Sequence, residues 1–199
     1  MEESELAGDW LTQFRRWLAE AEAAGVTEPG AMVVATASAS GAPGARHVLL
    51  RGLDERGFTF FTNYGSRKAG ELDANPQAAL LFHWRAPAHR QVVVDGTVER
   101  VSAEESDAYF QSRPHGSRLG AVASLQSRVI GGREELERSF EALAARHPEG
   151  DPPSRPDWWG GYRLAPHAVE FWSGRPNRLH DRLCFRREGS EWIVERLAP

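Results

Sequence analysis

Between residues 32 and 100 the chain carries five runs of strand length, and no other feature restricts the fold as much. The runs cover residues 32–37, 45–50, 58–62, 78–84 and 90–100, with turns expected at 38–43 and 85–89. One short helix, from Ser66 to Asn75 and stopped by Pro76, separates the third run from the fourth. Strands this closely spaced and joined mainly by turns point to an antiparallel barrel rather than alternating βαβ units. Residues 46–51 and 58–63, split by a turn containing Asp54 and Gly57, read as a β-hairpin, and residues 32–37 extend it to a meander of three.

Flanking elements follow from periodicity and capping. Trp10, Leu11, Phe14, Trp17, Leu18 and Ala21 recur at helical spacing, so residues 8–24 are expected to form an amphipathic helix against the body. Ser102 and Glu105 fit a capping box opening a helix that ends near Ser112, before Pro114. A second helix covers 132–146, with Leu136, Phe140 and Leu143 on one face, and residues 109–118 form a donor-rich link before it. Residues 147–157 are a Pro-rich linker. Strands at 159–164 and 168–172, a loop at 173–181, and a hairpin of 183–187 with 192–197 complete the chain. The expected class is α+β, mainly β, in one domain spanning 1–199, with residues 158–199 completing the site.

Composition narrows the function. Lysine plus arginine total 24 against 28 acids, for a net charge of -4 with the signs well mixed, so binding nucleic acid by bulk charge is not expected. No run reaches the length of a membrane span, and the acidic start Met1-Glu2-Glu3 is unlike a signal peptide, which points to the cytosol. Cys184 is the only cysteine and reads as a small core residue, and the seven histidines form no metal-binding pair. Walker, Rossmann and nucleophile-elbow motifs are absent. Among enzymes, this leaves chemistry carried by a bound organic cofactor.

Cations mark the candidate sites. Arg46 and Arg51 bracket one run, while Thr62, Ser66, Arg67 and Lys68 follow another, and Lys68 is the only lysine in a chain that otherwise uses arginine. These residues fit a phosphate site; they also fit a helix capped by Ser66 with solvated charges, and the two readings are compatible. The link at 109–118 reads either as a solvated turn or as a ligand loop. Arg178, His180 and Arg182 would share a face in an extended backbone with Asp181 turned away, which suits either an anion or ring between them or a charged surface strand.

Taken together, residues 46–68, Arg90-Gln91-Val92, 109–117, Gln126-Ser127, Trp159-Gly160-Gly161-Tyr162-Arg163, Glu170-Phe171-Trp172 and 178–182 resemble the pyridoxamine 5'-phosphate oxidases. The resemblance runs from about Trp10 to Pro199. It implies a split β-barrel homodimer with FMN at the subunit interface, oxidising pyridoxine or pyridoxamine 5'-phosphate to pyridoxal 5'-phosphate while oxygen becomes hydrogen peroxide. By the same resemblance, Arg46, Arg67, Lys68 and Ser127 are expected at the FMN phosphate. Val48, Leu49, Phe61, Thr62, Gln91, Gln126, Trp172 and Arg182 are expected around the rest of the flavin. Arg51, Tyr109, Arg113 and Ser117 match the substrate-phosphate pocket, and Arg178 and His180 match the pair over the substrate ring. Two departures stand out: Arg51 replaces the family's usual lysine, and no covering basic and aromatic segment precedes Trp10. A related FMN oxidase acting on a phenazine precursor, or a non-catalytic carrier of flavin or pyridoxal phosphate, are the alternatives.

Overall fold

The computed structural model describes residues 1–199. Asp9 caps the first helix, α1 (Trp10–Ala23), by accepting from the Thr12 amide at 2.8 Å. Strands β1 (Ala31–Ala37), β2 (Pro43–Leu49), β3 (Gly52–Asp54) and β4 (Gly57–Asn63) follow, then α2 (Arg67–Ala74), β5 (Gln77–Trp84) and β6 (Arg90–Arg100). Three helices, α3 (Ala103–Ser112), α4 (His115–Ala123) and α5 (Arg133–Arg146), precede β7 (Trp159–Ser173), β8 (Asp181–Glu188) and β9 (Glu191–Arg196). All nine strands belong to one antiparallel sheet, ordered β2-β1-β5-β6-β7-β4-β3. On one edge of β7, β4 pairs with the first half and β8 with the second, and β9 continues beyond β8.

Alternation along these strands builds the core. Met32 and Val34, Leu80 and Phe82, Val92 and Val94, and Val169 and Phe171 lie on one buried face. The stripe on α1 covers that face: the Phe14 ring is 4.8 Å from Phe82 and 5.0 Å from Phe58, and Trp17 meets Phe171 edge-on at 5.2 Å. Removing one such fully buried ring costs about 3–5 kcal/mol, so α1 is part of the core rather than an appendage. On α5, Leu143 is buried against α4, whereas Leu136 and Phe140 stay 40% and 36% exposed.

Five local expectations change. The hairpin is β3 with β4, closed at Gly57, while β2 pairs along its whole length with β1. Gly52 opens β3, where a β-carbon would lie 3.1 Å from Thr59 Cβ on the facing strand. The two C-terminal runs form one strand, β7, in which the non-donating Pro166 sits where the β6 register shifts between Asp95 and Gly96. The expected link at 109–118 shrinks to Arg113 and Pro114, since α3 reaches Ser112 and α4 starts at His115. Ser66 occupies the N-cap position of α2 without a side-chain cap bond, and its hydroxyl accepts from Lys68 Nζ at 3.3 Å instead. On α3, Ser102 does cap Glu105 N at 3.1 Å, but the Glu105 carboxylate turns to Arg163 at 2.9 and 3.0 Å.

Candidate active site

A cavity of about 1240 Å³ lies where β2, β4, α2, α3, α4 and the segment after α4 meet. Its lining includes Arg46, Arg51, Arg67, Lys68 and Arg113 but no aspartate or glutamate, although the whole chain is net acidic. Five cations without an acid around one space describe a receptor for anions.

Lys68 is fixed from several sides. The first turn of α2 buries it to 7% exposure, and Nζ donates to Thr62 Oγ1 at 2.8 Å and Gln126 Oε1 at 3.0 Å. Both partners are neutral, and Lys68 makes no ion pair. Burial therefore pulls its pKa from 10.5 down to about 8, with Arg46 pushing the same way and Glu71 opposing. Arg46 donates to Thr36 Oγ1 at 2.5 Å and to Glu71 Oε2 at 3.0 Å, while Arg67 Nε donates to Glu71 Oε1 at 2.7 Å. Ser127 lines the same space with φ of 73°, a left-handed geometry that serine rarely adopts.

Aromatic rings form another part of the wall. Phe61 stacks on Tyr109 with centroids 4.0 Å apart and on Trp159 at 5.5 Å. Gly161 permits this, because a β-carbon there would meet Phe61 Cε1 at 2.8 Å and Val101 Cγ2 at 2.6 Å. Arg113 lies over the Trp159 ring at 4.8 Å, and its buried Nη1 has no hydrogen-bond partner. Burial and the neighbouring Arg51 lower its pKa, Tyr109 opposing. Ser117, on the first turn of α4, also lines the cavity, as do Val48 and Leu49.

The remaining expected residues gather elsewhere. Gln91, Trp172, Arg182, Arg178 and His180 do not line this cavity. Gln91 is opposite Trp172, and Trp172 opposite Arg182, in the β6-β7-β8 ladder, and the Trp172 and His180 rings are 4.7 Å apart. Along β7, Trp172 is about 40 Å of strand from Trp159, at roughly 3.3 Å per residue. Arg178 is not extended, contrary to the alternation argument: Asn177 and Arg178 have φ of 58° and 62° in a short turn. Arg175 closes that turn, its amide donating to His180 Nδ1 at 3.1 Å and its Nε to Asp181 Oδ2 at 2.6 Å. A backbone N–H can only donate, so Nδ1 is the acceptor in this turn and the ring's N–H is the one at Nε2. Asp181 also accepts from the Met1 ammonium at 2.5 Å and Arg196 at 3.1 Å, while Arg182 grips Glu170 bidentately at 2.7 and 2.8 Å.

Sequence reasoning gave no role to Glu71, Thr36, Glu170 or Arg175. Only Glu71 left a legible signal, the i,i+4 spacing from Arg67; the others act through sheet register or loop geometry.

Comparison with known proteins shows the family and the fold. Residues 18–159 match the family model described as pyridoxamine 5'-phosphate oxidase, and residues 159–199 match the pyridoxine 5'-phosphate oxidase C-terminal dimerisation region. A pyridoxine/pyridoxamine 5'-phosphate oxidase of Rubrobacter xylanophilus is 58% identical over 96% of this chain and 87% of its own length. One from Salinispora arenicola is 56% identical over 99% of this chain and 89% of its own. Among solved structures, PhzG from Burkholderia lata 383, in complex with tetrahydrophenazine-1-carboxylic acid, superposes with a TM-score of 0.92 at 34% identity, covering 98% of this chain and 95% of that one.

Proposed function

Because this chain belongs to the pyridoxamine 5'-phosphate oxidase family, we propose that it is an FMN-dependent oxidase converting pyridoxine or pyridoxamine 5'-phosphate to pyridoxal 5'-phosphate. The observation that carries this reading is the acid-free cavity, in which Lys68 is bonded to Thr62 and Arg46 and Arg67 share Glu71 behind the wall, while Arg51 and Arg113 stand near the Tyr109 and Trp159 rings. Two groups of cations suit two phosphate monoesters, each carrying a flat ring. The fit to FMN rests on Lys68, a buried ammonium held only by neutral oxygens, and on the left-handed Ser127 beside it. Oxygen is the proposed final acceptor, leaving as hydrogen peroxide; the amine substrate also takes up water and releases ammonia.

When bound, FMN supplies the two-electron acceptor. In this reading Arg46, Arg67, Lys68 and Ser127 hold its phosphate, and Val48, Leu49, Phe61, Thr62 and Gln126 flank the rest. Arg51, Tyr109, Arg113 and Ser117 grip the substrate phosphate, where each charge-assisted bond is worth about 1.5–3 kcal/mol and orients the ring it carries. Gln91, Trp172 and Arg182, with Arg178 and His180 over the substrate ring, come from the partner subunit. This assignment is supported by the strand length separating them from the cavity and by the match of residues 159–199 to a dimerisation region. His180 offers its Nε2–H and Arg178 its guanidinium to an electron-rich oxygen on that ring. Both stabilise developing negative charge rather than remove a proton. The same proposal places the enzyme in the cytosol, in keeping with a lone buried thiol.

The likeness to PhzG supports a second reading, oxidation of a phenazine precursor. Anaerobic mixing of the FMN-loaded protein with pyridoxamine 5'-phosphate separates the two. The flavin absorbance is expected to bleach within a turnover and return with peroxide when air is admitted. A spectrum unchanged by either vitamin phosphate would reject the oxidase reading.

A further inference from the structure

Behind the cavity wall sits a carboxylate for which the phosphate-site residues alone give no account. Glu71 is 5% exposed, on the inner face of α2, and does not line the cavity. Its two oxygens are divided among three donors from three elements: Thr36 of β1 at 2.5 Å and Arg46 of β2 at 3.0 Å on Oε2, and Arg67 of α2 at 2.7 Å on Oε1. These bonds hold its pKa down at about 2, the Thr36 hydroxyl contributing most and the two arginines adding to it. Gly44 leaves the space, since a β-carbon there would lie 2.5 Å from Arg46 Nη2 and 3.0 Å from Glu71 Oε2.

We infer that Glu71 is a positioning residue for the flavin phosphate, a clamp that orients Arg46 and Arg67 together and sets the charge they present. The inference rests on the phosphate assignment proposed above. Arg67 spends only Nε on the clamp, so its terminal nitrogens make no bond to Glu71, and the 64% exposure of its side chain leaves them open to a ligand. Without the clamp, Arg67 has no other hydrogen bond or ion pair to hold it. Charge points the same way: three cations and one carboxylate leave two net positive charges, the complement of a phosphate monoester dianion.

A carboxylate that only tied α2 to the sheet would affect folding without distinguishing one flavin from another. The test is titration of the apoprotein with FMN and with riboflavin, followed by flavin fluorescence, alongside melting temperatures. Glu71→Ala is expected to weaken FMN binding about tenfold or more while riboflavin binding stays within about twofold. Glu71→Gln, which keeps one acceptor oxygen and the side-chain length, should show a smaller loss of the same selective kind. Gly44→Ala, which crowds the clamp from the β2 side, should repeat the selective loss if the alanine variant does not fold. Equal weakening of both flavins, or tighter FMN binding in Glu71→Ala, overturns the inference. Arg67→Ala with Lys68→Ala serves as the control: if it keeps the preference for FMN over riboflavin, the phosphate assignment itself fails, and the role of Glu71 with it.

Discussion

Lys68 shows how one residue links burial to ligand charge. Its pKa near 8, against 10.5 in an unfolded chain, means that the unfolded state binds the proton more tightly. Below pH 8 the folded apoprotein bears the full cost of a buried charge. As pH rises from 8 to 10.5 that cost is relieved, so this group makes apoprotein stability increase across that window. A phosphate dianion beside Nζ reverses the preference and restores the proton. FMN affinity should therefore be flat between about pH 7 and 8 and fall by up to about tenfold per pH unit above 8. Riboflavin affinity should stay level. Isothermal titration at several pH values checks this, and proton uptake on FMN binding above pH 8 should vanish in Lys68→Met. The special status of Lys68 is legible in the sequence as the sole lysine, and its partners Thr62, Ser66 and Gln126 are among the residues singled out there, whereas the contact of Thr36 with Glu71 is not. Thr36 and Glu71 meet behind Arg46 only once β1 and α2 are placed.

At the scale of elements, strands and long amphipathic helices are readable because their burial is periodic. Strand partners and short links are not. The pattern cannot show that β2 prefers β1 to β4, since both pairings offer an apolar face; the deciding feature is the reversal between Leu49 and Gly52, where Arg51 N still bonds Thr59 O at 2.8 Å. Likewise α4 escapes notice because Pro114, Gly116 and Gly120 look like a loop, yet the proline stands at the N-cap, outside the helix, where its missing N–H costs nothing. The β3–β4 turn offers a test of how closely these elements are fitted. Gly57 has φ of 134°, and a β-carbon there would lie 1.9 Å from the Leu164 carbonyl oxygen of β7. Gly57→Ala should destabilise the apoprotein by at least about 2 kcal/mol in urea unfolding. Because β4 carries Phe61 and Thr62, flavin affinity should fall with it. Gly189→Ala, in the β8–β9 turn with open space around it and φ of 63°, should cost about 1 kcal/mol and leave flavin binding intact.

For the whole molecule, the resemblance read from the sequence assembles a site from residues that the fold separates into two groups. No loop motion within one chain brings Trp172 and Arg182, on the far half of β7 and on β8, to a cavity walled by Trp159 on the near half. In the proposed reading two copies related by a two-fold axis solve this, each lending its β7–β8 end to the cavity of the other and forming two equivalent sites. Such an arrangement has a consequence that an intrachain site does not share. Let one variant carry Arg67→Ala with Lys68→Ala, and a second carry Arg178→Ala with His180→Ala; each alone should be inactive, the first colourless and the second still yellow. In a mixed dimer, one site inherits both lesions and the other inherits neither. Unfolding and refolding the two together at equal concentration should make about half the dimers mixed, and so restore about a quarter of wild-type turnover. A site contained within each chain would leave every mixture dead, and recovery that failed despite mixed dimers on native electrophoresis would exclude the shared site.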